Sequence, residues 1–138
     1  GGIYALKRHQ MIYFLNGNYE VTTKRDHYPN RINVDDLAKI ILVCIQNHAP
    51  KRIINATDQK NITTYDAINY VTDELGLTKP IPVDYQKASI TDMAREFFSS
   101  SKTVRSKIIN EKLDYNYIYP DFKRALLHLT KVSLEDQK

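Results

Sequence analysis

Four groups of residues in this sequence have types and spacings that could do chemistry. Tyr119 and Lys123 stand four apart in "YPDFK". On one helix face a lysine lowers a phenol pKa, so that the tyrosine serves as acid or base. Here Pro120 starts a helix between the two, which leaves Tyr119 ahead of it, and the spacing is read as a coincidence. Cys44 and His48 are also four apart and could share a helix face. Zinc needs three or four such ligands. No partner is evident, so the pair is read as a buried thiol and a helix-end histidine, and no metal site is expected. His9, His27 and His128 are read as surface or capping residues. The remaining groups are two basic sets, Lys24–Arg25–His27–Arg31 and Arg95–Lys102–Arg105–Lys107. Each fits either a solvated surface or a contact for an anion. Nucleic acid would call for aromatics interleaved with the basic residues. Only Tyr28 lies inside a set, with Phe97 and Phe98 beside the second, and Asp26, Glu96 and Glu111 are placed to neutralise charge. Nucleic acid is therefore a minor reading.

The glycines exclude other chemistry. They stand at positions 1, 2, 17 and 76, so neither a GxGxxG dinucleotide loop nor a Walker A loop is possible in this sequence.

Composition sets the frame. A length of 138 residues suits one domain, read here as a single unit over 1–138. The net charge is +4 and the pI about 9.1, which permits an anionic partner without choosing one. The single cysteine, Cys44, excludes an internal disulfide and fits a reducing compartment. No apolar run is long enough to span a membrane and no leader pattern is visible, so a cytoplasmic, soluble protein is expected. The sequence opens on Gly1-Gly2 without methionine, which fits a processed product, a fragment or tag remnants.

The elements that must position these residues alternate between strand and helix. "IYFLNGN" reads as a helix end closed by Asn16-Gly17 and "YEVTT" as a short strand. Arg31–Val34 reads as a strand by its period-2 pattern, followed by a helix from about Asp36 to Asn47, with Asp35 or Asp36 as cap. That helix is apolar on most sides, which predicts burial. Arg52–Thr57 reads as another strand. Thr63 or Thr64 caps a helix over Tyr65–Leu75, and Gly76 supplies its left-handed end. "TKPIPVDYQKA" is extended, Thr91–Phe98 is a helical turn, and Val104, Ile108, Ile109 and Leu113 form a stripe. Pro120 opens a last helix with Phe122, Ala125, Leu126, Leu129 and Val132 on one face. The tail after Leu134 frays. Alternation of this kind predicts an α/β fold, with a few short strands and about five helices.

The order "GGIY", "RINVDDLAKII", "RIINATD", "TTYDAINYVTDELGL" and "FFSSSKTVRSKIINEKLDYNYIYPDFKRAL" resembles the C-terminal half of an extended short-chain dehydrogenase/reductase of the NAD-dependent epimerase/dehydratase group. The resemblance spans nearly the whole chain. Departures are Asn33 in place of the usual histidine, the absence of Gly-Pro after "GGIY", and Ala125 where glycine is common. The resemblance implies a substrate-binding unit that lacks the N-terminal, Rossmann-type dinucleotide-binding half. That half carries the glycine motif and the catalytic tyrosine and lysine, so no catalytic residue is assigned to this chain. NAD or NADP would serve the intact enzyme, and neither is expected to bind this chain tightly.

The implied substrate is a small anionic molecule, of which a nucleotide sugar is one example. Arg31 matches an arginine that meets substrate phosphate in several members, a role suited to a permanently charged bidentate fork. Pairing of Arg31 with Asp35 or Asp36 is the structural alternative. Arg95 and Lys102 are the further substrate-binding candidates, Lys102 also being suited to orienting a turn. Gly2 and Ile3 match a segment that passes near the nicotinamide. The chain alone should be inactive and should expose the surface that meets its missing half, or self-associate through it. A non-catalytic assembly module is the second reading, and a basic nucleic-acid-binding domain the third.

Overall fold

Six helices and four short strands make up the described residues, 2–47, 53–100 and 103–136, of the computed structural model. In chain order they are β1 (Gly2–Tyr4), α1 (Gln10–Leu15), β2 (Glu20–Thr23), β3 (Arg31–Asn33), α2 (Val34–Gln46), α3 (Thr64–Leu75), β4 (Ile81–Asp84), α4 (Asp92–Ser99), α5 (Lys107–Glu111) and α6 (Phe122–Glu135). The strands form two parallel pairs. In one, β1 lies beside β3 with Gly2 opposite Arg31 and Tyr4 opposite Asn33. In the other, β2 lies beside β4 with Glu20 opposite Ile81 and Thr23 opposite Asp84. Parallel pairing requires long crossovers, here supplied by helices, and the fold is α/β as the alternation predicts.

Local chemistry accounts for the helix ends. Thr63 Oγ1 accepts the Asp66 N–H at 3.1 Å, and Gly76 closes α3 at φ +63°, where a side chain would be strained. At α2 the cap is neither Asp35 nor Asp36. Asn33 Oδ1 accepts the Asp35 N–H at 2.9 Å, so the chain passes directly from strand into helix at Val34. At α6 the cap is Asp121, whose Oδ1 accepts the Lys123 N–H at 3.1 Å. The helix therefore begins at Phe122, and Pro120 lies ahead of it. Past Leu134 the helix continues to Glu135. Thr91 caps α4, which is a full two-turn helix where a single turn was expected.

Two strand assignments change. The three residues of β1 were not foreseen as a strand. Residues 53–57, expected as one, pair with no strand among the described residues, and Arg52 lies outside them. The Thr57 carbonyl is taken instead by the Ser106 and Tyr117 hydroxyls, at 2.9 and 2.7 Å.

The main core joins Tyr4, Met11, Phe14 and Val21 to Ala67, Ile68 and Val71 of α3 and to Phe122, Ala125, Leu126 and Leu129 of α6. A smaller cluster holds Ile32, Ile40 and Ile109, with Leu37, Cys44, Leu113 and Tyr115 around it. Contrary to the expectation of a buried helix, α2 buries only Asp36 and Ile40. Ile41, Leu42 and Ile45 are 52%, 52% and 67% exposed. A helix apolar on several sides buries only the stripe that meets a neighbour.

A candidate anion-binding cleft at Arg31

The parallel β1–β3 pair sets Gly2 across from Arg31. After β1 the chain turns sharply, with Ala5 and Arg8 exchanging backbone hydrogen bonds of 3.0 Å in both directions, and then enters α1. The turn leaves a cleft of about 420 Å³, whose walls include Ile3, Tyr4, Lys7, Arg8, Arg31 and Phe97. Among the described residues, three cationic side chains line this cleft and no carboxylate does.

Arg31 forms the floor. It is 6% exposed and held from three sides. Its guanidinium donates to the Ile62 carbonyl at 3.0 Å and to Thr64 Oγ1 at 2.8 Å, and it lies 4.0 Å over the Phe122 ring. Among the described residues it makes no ion pair with Asp35 or Asp36. Asp36 is engaged elsewhere, accepting from the Tyr115 hydroxyl at 2.7 Å and from the Ile118 and Tyr119 amides at 2.8 and 2.9 Å. Burial lowers the Arg31 pKa to about 10, against the attraction of Asp58. Even so, the guanidinium is charged at neutral pH.

Behind Arg31 the Asp58 N–H donates to the Arg31 carbonyl at 2.7 Å. The Asp58 carboxyl is pushed up to about 7, chiefly by burial, with Arg31 opposing and Asp121 and Asp36 adding to the rise. Burial also raises the Tyr4 phenol, so it stays protonated and a donor. The Tyr4 hydroxyl and Asp58 Oδ2 are buried without a hydrogen-bond partner among the described residues.

Lys7 and Arg8 stand exposed at the rim. Neither was singled out from the sequence. A signal was present, because no Asp or Glu occurs before Glu20, so a cationic pair just after "GGIYA" has no local counter-charge. The arrangement supplies two exposed cations at the rim and a fixed one beneath. That suits holding an anion of phosphate type.

The other sequence candidates fall in different places. Gly2 and Ile3 line the same cleft as Arg31. Arg95, on α4, does not; it donates to the Tyr85 and Ala88 carbonyls at 2.8 and 3.1 Å and ties α4 to the turn after β4. Lys102 lies outside the described residues, as does His48. Cys44 packs against the smaller cluster, and among the described residues no three His, Cys, Asp or Glu side chains are grouped to hold a metal. Tyr119 stays off the helix with its N–H on Asp36, while the Lys123 ammonium lies 4.8 Å over the Tyr70 ring, so the two do not form an acid–base pair.

Two histidines expected at the surface are buried. His9 is 6% exposed, with Nε2 3.3 Å from Ser133 Oγ, and does not cap α1 with its side chain. His27 is 5% exposed against Phe97 and Phe98, ring centroids 4.8 and 5.0 Å away. In both cases a neighbouring element covers a ring that lies in a polar stretch of sequence. His128 is exposed as expected. No helix among the described residues is long and apolar enough to cross a membrane.

No protein-family model and no curated protein matches the chain. Solved structures do resemble it. A conserved protein of unknown function from Silicibacter pomeroyi DSS is 31% identical, with a TM-score of 0.85 over 94% of this chain and 46% of its own. UDP-N-acetylglucosamine 4-epimerase from Bacillus cereus is 17% identical, with a TM-score of 0.65 over 95% of this chain and 45% of its own. This chain therefore spans slightly less than half the length of each, and its fold is that of part of an epimerase-like, Rossmann-type α/β chain.

Proposed function

We propose that this chain is the C-terminal, substrate-binding portion of an NAD(P)-dependent epimerase, dehydratase or reductase, and that the Arg31 cleft holds the anionic part of a nucleotide sugar or similar small molecule. The observation that carries this reading is the cleft lining, three cations and no carboxylate among the described residues, in a fold shared with a UDP-N-acetylglucosamine 4-epimerase. In an intact enzyme the nicotinamide would take a hydride from a substrate hydroxyl and return it, or reduce a carbonyl. This chain's part is to bind and orient. Gly2 and Ile3 would border the cofactor held by the other half. The outward face of α2, with Ile41, Leu42 and Ile45, and Ile53 at 88% exposure form the surface on which that half would dock. The same face supports a second reading, a non-catalytic module that assembles with itself.

Calorimetry on the chain tests the proposal. UDP should bind, uridine should not, and the double variant Lys7→Glu/Arg8→Glu should weaken UDP by about ten-fold or more, with steep salt dependence. Equal binding of uridine and UDP would overturn the anion assignment. Micromolar binding of NADH would overturn the placement of the dinucleotide site in another half.

A further inference from the structure

Asp58, Asp121 and Asp36 stand close enough behind Arg31 to feel one another's charge, and two of the three are already answered. Asp36 accepts from the Tyr115 hydroxyl and from the Ile118 and Tyr119 amides. Asp121 accepts the Lys123 N–H through Oδ1, and its Oδ2 lies 3.8 Å from the Lys60 ammonium. Asp58 is different. Its N–H is tied to the Arg31 carbonyl at 2.7 Å, which fixes the residue behind the cleft floor. Yet its Oδ2 is buried with no hydrogen-bond partner among the described residues. An ionised carboxyl that strands a buried oxygen is costly, and a proton removes the charge. The neutral form is therefore favoured, and the carboxyl pKa of about 7 agrees, so this proton comes and goes near neutral pH.

The other groups around the junction hold their state over that range. Arg31, from β3, stays cationic. The Tyr4 phenol, from β1, and the Tyr117 phenol, from the segment after α5, are both pushed up by burial and stay neutral. Asp36, from α2, and Asp121, ahead of α6, keep the donors already named. On the cleft side, His9 lines the wall, and burial lowers its pKa below 6.5, as it does for the nearby His27. With the Asp58 proton on, the buried couple of Arg31 and Asp58 presents one positive charge beneath the cleft. With it off, the couple presents none. An anion is drawn to the first state more than to the second. By linkage, the anion must then favour the protonated carboxyl.

We infer that an anion binding in the Arg31 cleft takes up a proton at Asp58, which acts as a positioning residue by setting the charge that the anion meets. The proton passes from the buffer to the Asp58 carboxylate oxygen, and no bond in the anion changes. The inference rests on the proposed function only in taking an anion to occupy the cleft.

Calorimetry of the whole chain with sulfate tests it, because the charge of sulfate is fixed over this pH range. Titrations at pH 7.5 in two non-phosphate buffers of different ionisation enthalpy count the protons taken up. The chain should take up about half a proton per sulfate, and its affinity should fall about five-fold from pH 6.5 to pH 8.5. Asp58→Asn, a neutral isostere, should take up none and bind equally at both pH values, as tightly as the native chain at pH 6.5. A merely structural role would not move the proton count. Carboxyl NMR of the native chain reads the same event without a variant. The Asp58 resonance should titrate near pH 7, and sulfate should move that midpoint upward. The inference is overturned if sulfate binds without proton uptake, or if it leaves the Asp58 midpoint in place. It is also overturned if Asp58→Asn keeps the uptake, which would put the proton on His9 or His27. Each of those outcomes leaves the anion cleft standing. Absence of sulfate and UDP binding at every pH would overturn the cleft and this coupling together.

Discussion

Between α3 and α6 the chain is held by apolar side chains. Ala67, Ile68, Val71, Ala125, Leu126 and Leu129 are all at most 4% exposed, and they interlock with Met11, Phe14 and Phe122. Beneath α2 the buried apolar residues among those described are Ile32, Ile40 and Ile109, and the clamp is a carboxylate, Asp36, that gathers one hydroxyl and two amides from Tyr115–Tyr119. The first region is closed on itself. The second is fastened on its inner side by polar bonds and leaves Ile41, Leu42 and Ile45 uncovered outside. The contrast separates residues that finish a fold from residues that wait for a neighbour.

The largest test of that contrast is Asp36→Ala. It strips an acceptor from three donors around a fully buried site and should cost about 4 kcal/mol, since each stranded buried donor costs about 1–3 kcal/mol. A shift in the urea midpoint measures it, and a loss below about 1 kcal/mol would remove the polar clamp from the account. Next, Leu126→Ala in the closed core should cost about 3 kcal/mol through lost burial and a cavity, whereas Ile45→Lys on the open face should stay within about 0.5 kcal/mol and reduce self-association in sedimentation. Equal costs would mean that the two regions do not differ as described.

A pH-dependent effect lies at the junction behind Arg31. The Asp58 carboxyl goes from 3.8 to about 7 on folding, so the folded chain holds this proton more tightly than the unfolded chain. Stability contributed by the protonated form is complete below about pH 4, is lost as the pH rises toward 7, and stays lost above. Asp58→Asn should therefore gain about 1–2 kcal/mol at pH 8, a figure reduced for partial exposure of the carboxyl, and nothing at pH 4. Thermal melts at the two pH values check the sign. A stabilisation that is larger at pH 4 would reverse it.

What could be read in the sequence follows the same division. The caps of α3 and the apolar face of α6 were legible because their causes lie within a few residues, as Thr63 with Asp66 or Leu126 with Leu129 show. The open face of α2 was misread, because its apolar residues record a burial that this chain does not supply. The role of Asp36 was hidden because its partners stand 79, 82 and 83 residues downstream. Arg31 was found as a candidate, but its bonds to Ile62 and Thr64 were not, for the same reason of distance. Lys7 and Arg8 were within reach of sequence reasoning, through the lack of acidic residues before Glu20. The burial of His27 was not, since the rings that cover it come from α4.

The parallel strand pairs also bear on how fast this chain reaches its fold. α3 carries its own start and stop signals and can form on the microsecond scale of an isolated helix. β2 cannot close on β4 by a hairpin. Its ladder forms only after β3, α2 and α3 have been threaded between them, so the entropy of closing a long loop comes before the gain from pairing. Refolding should thus be limited by sheet closure, with helical signal recovering ahead of the contacts that seal Val21 against the core.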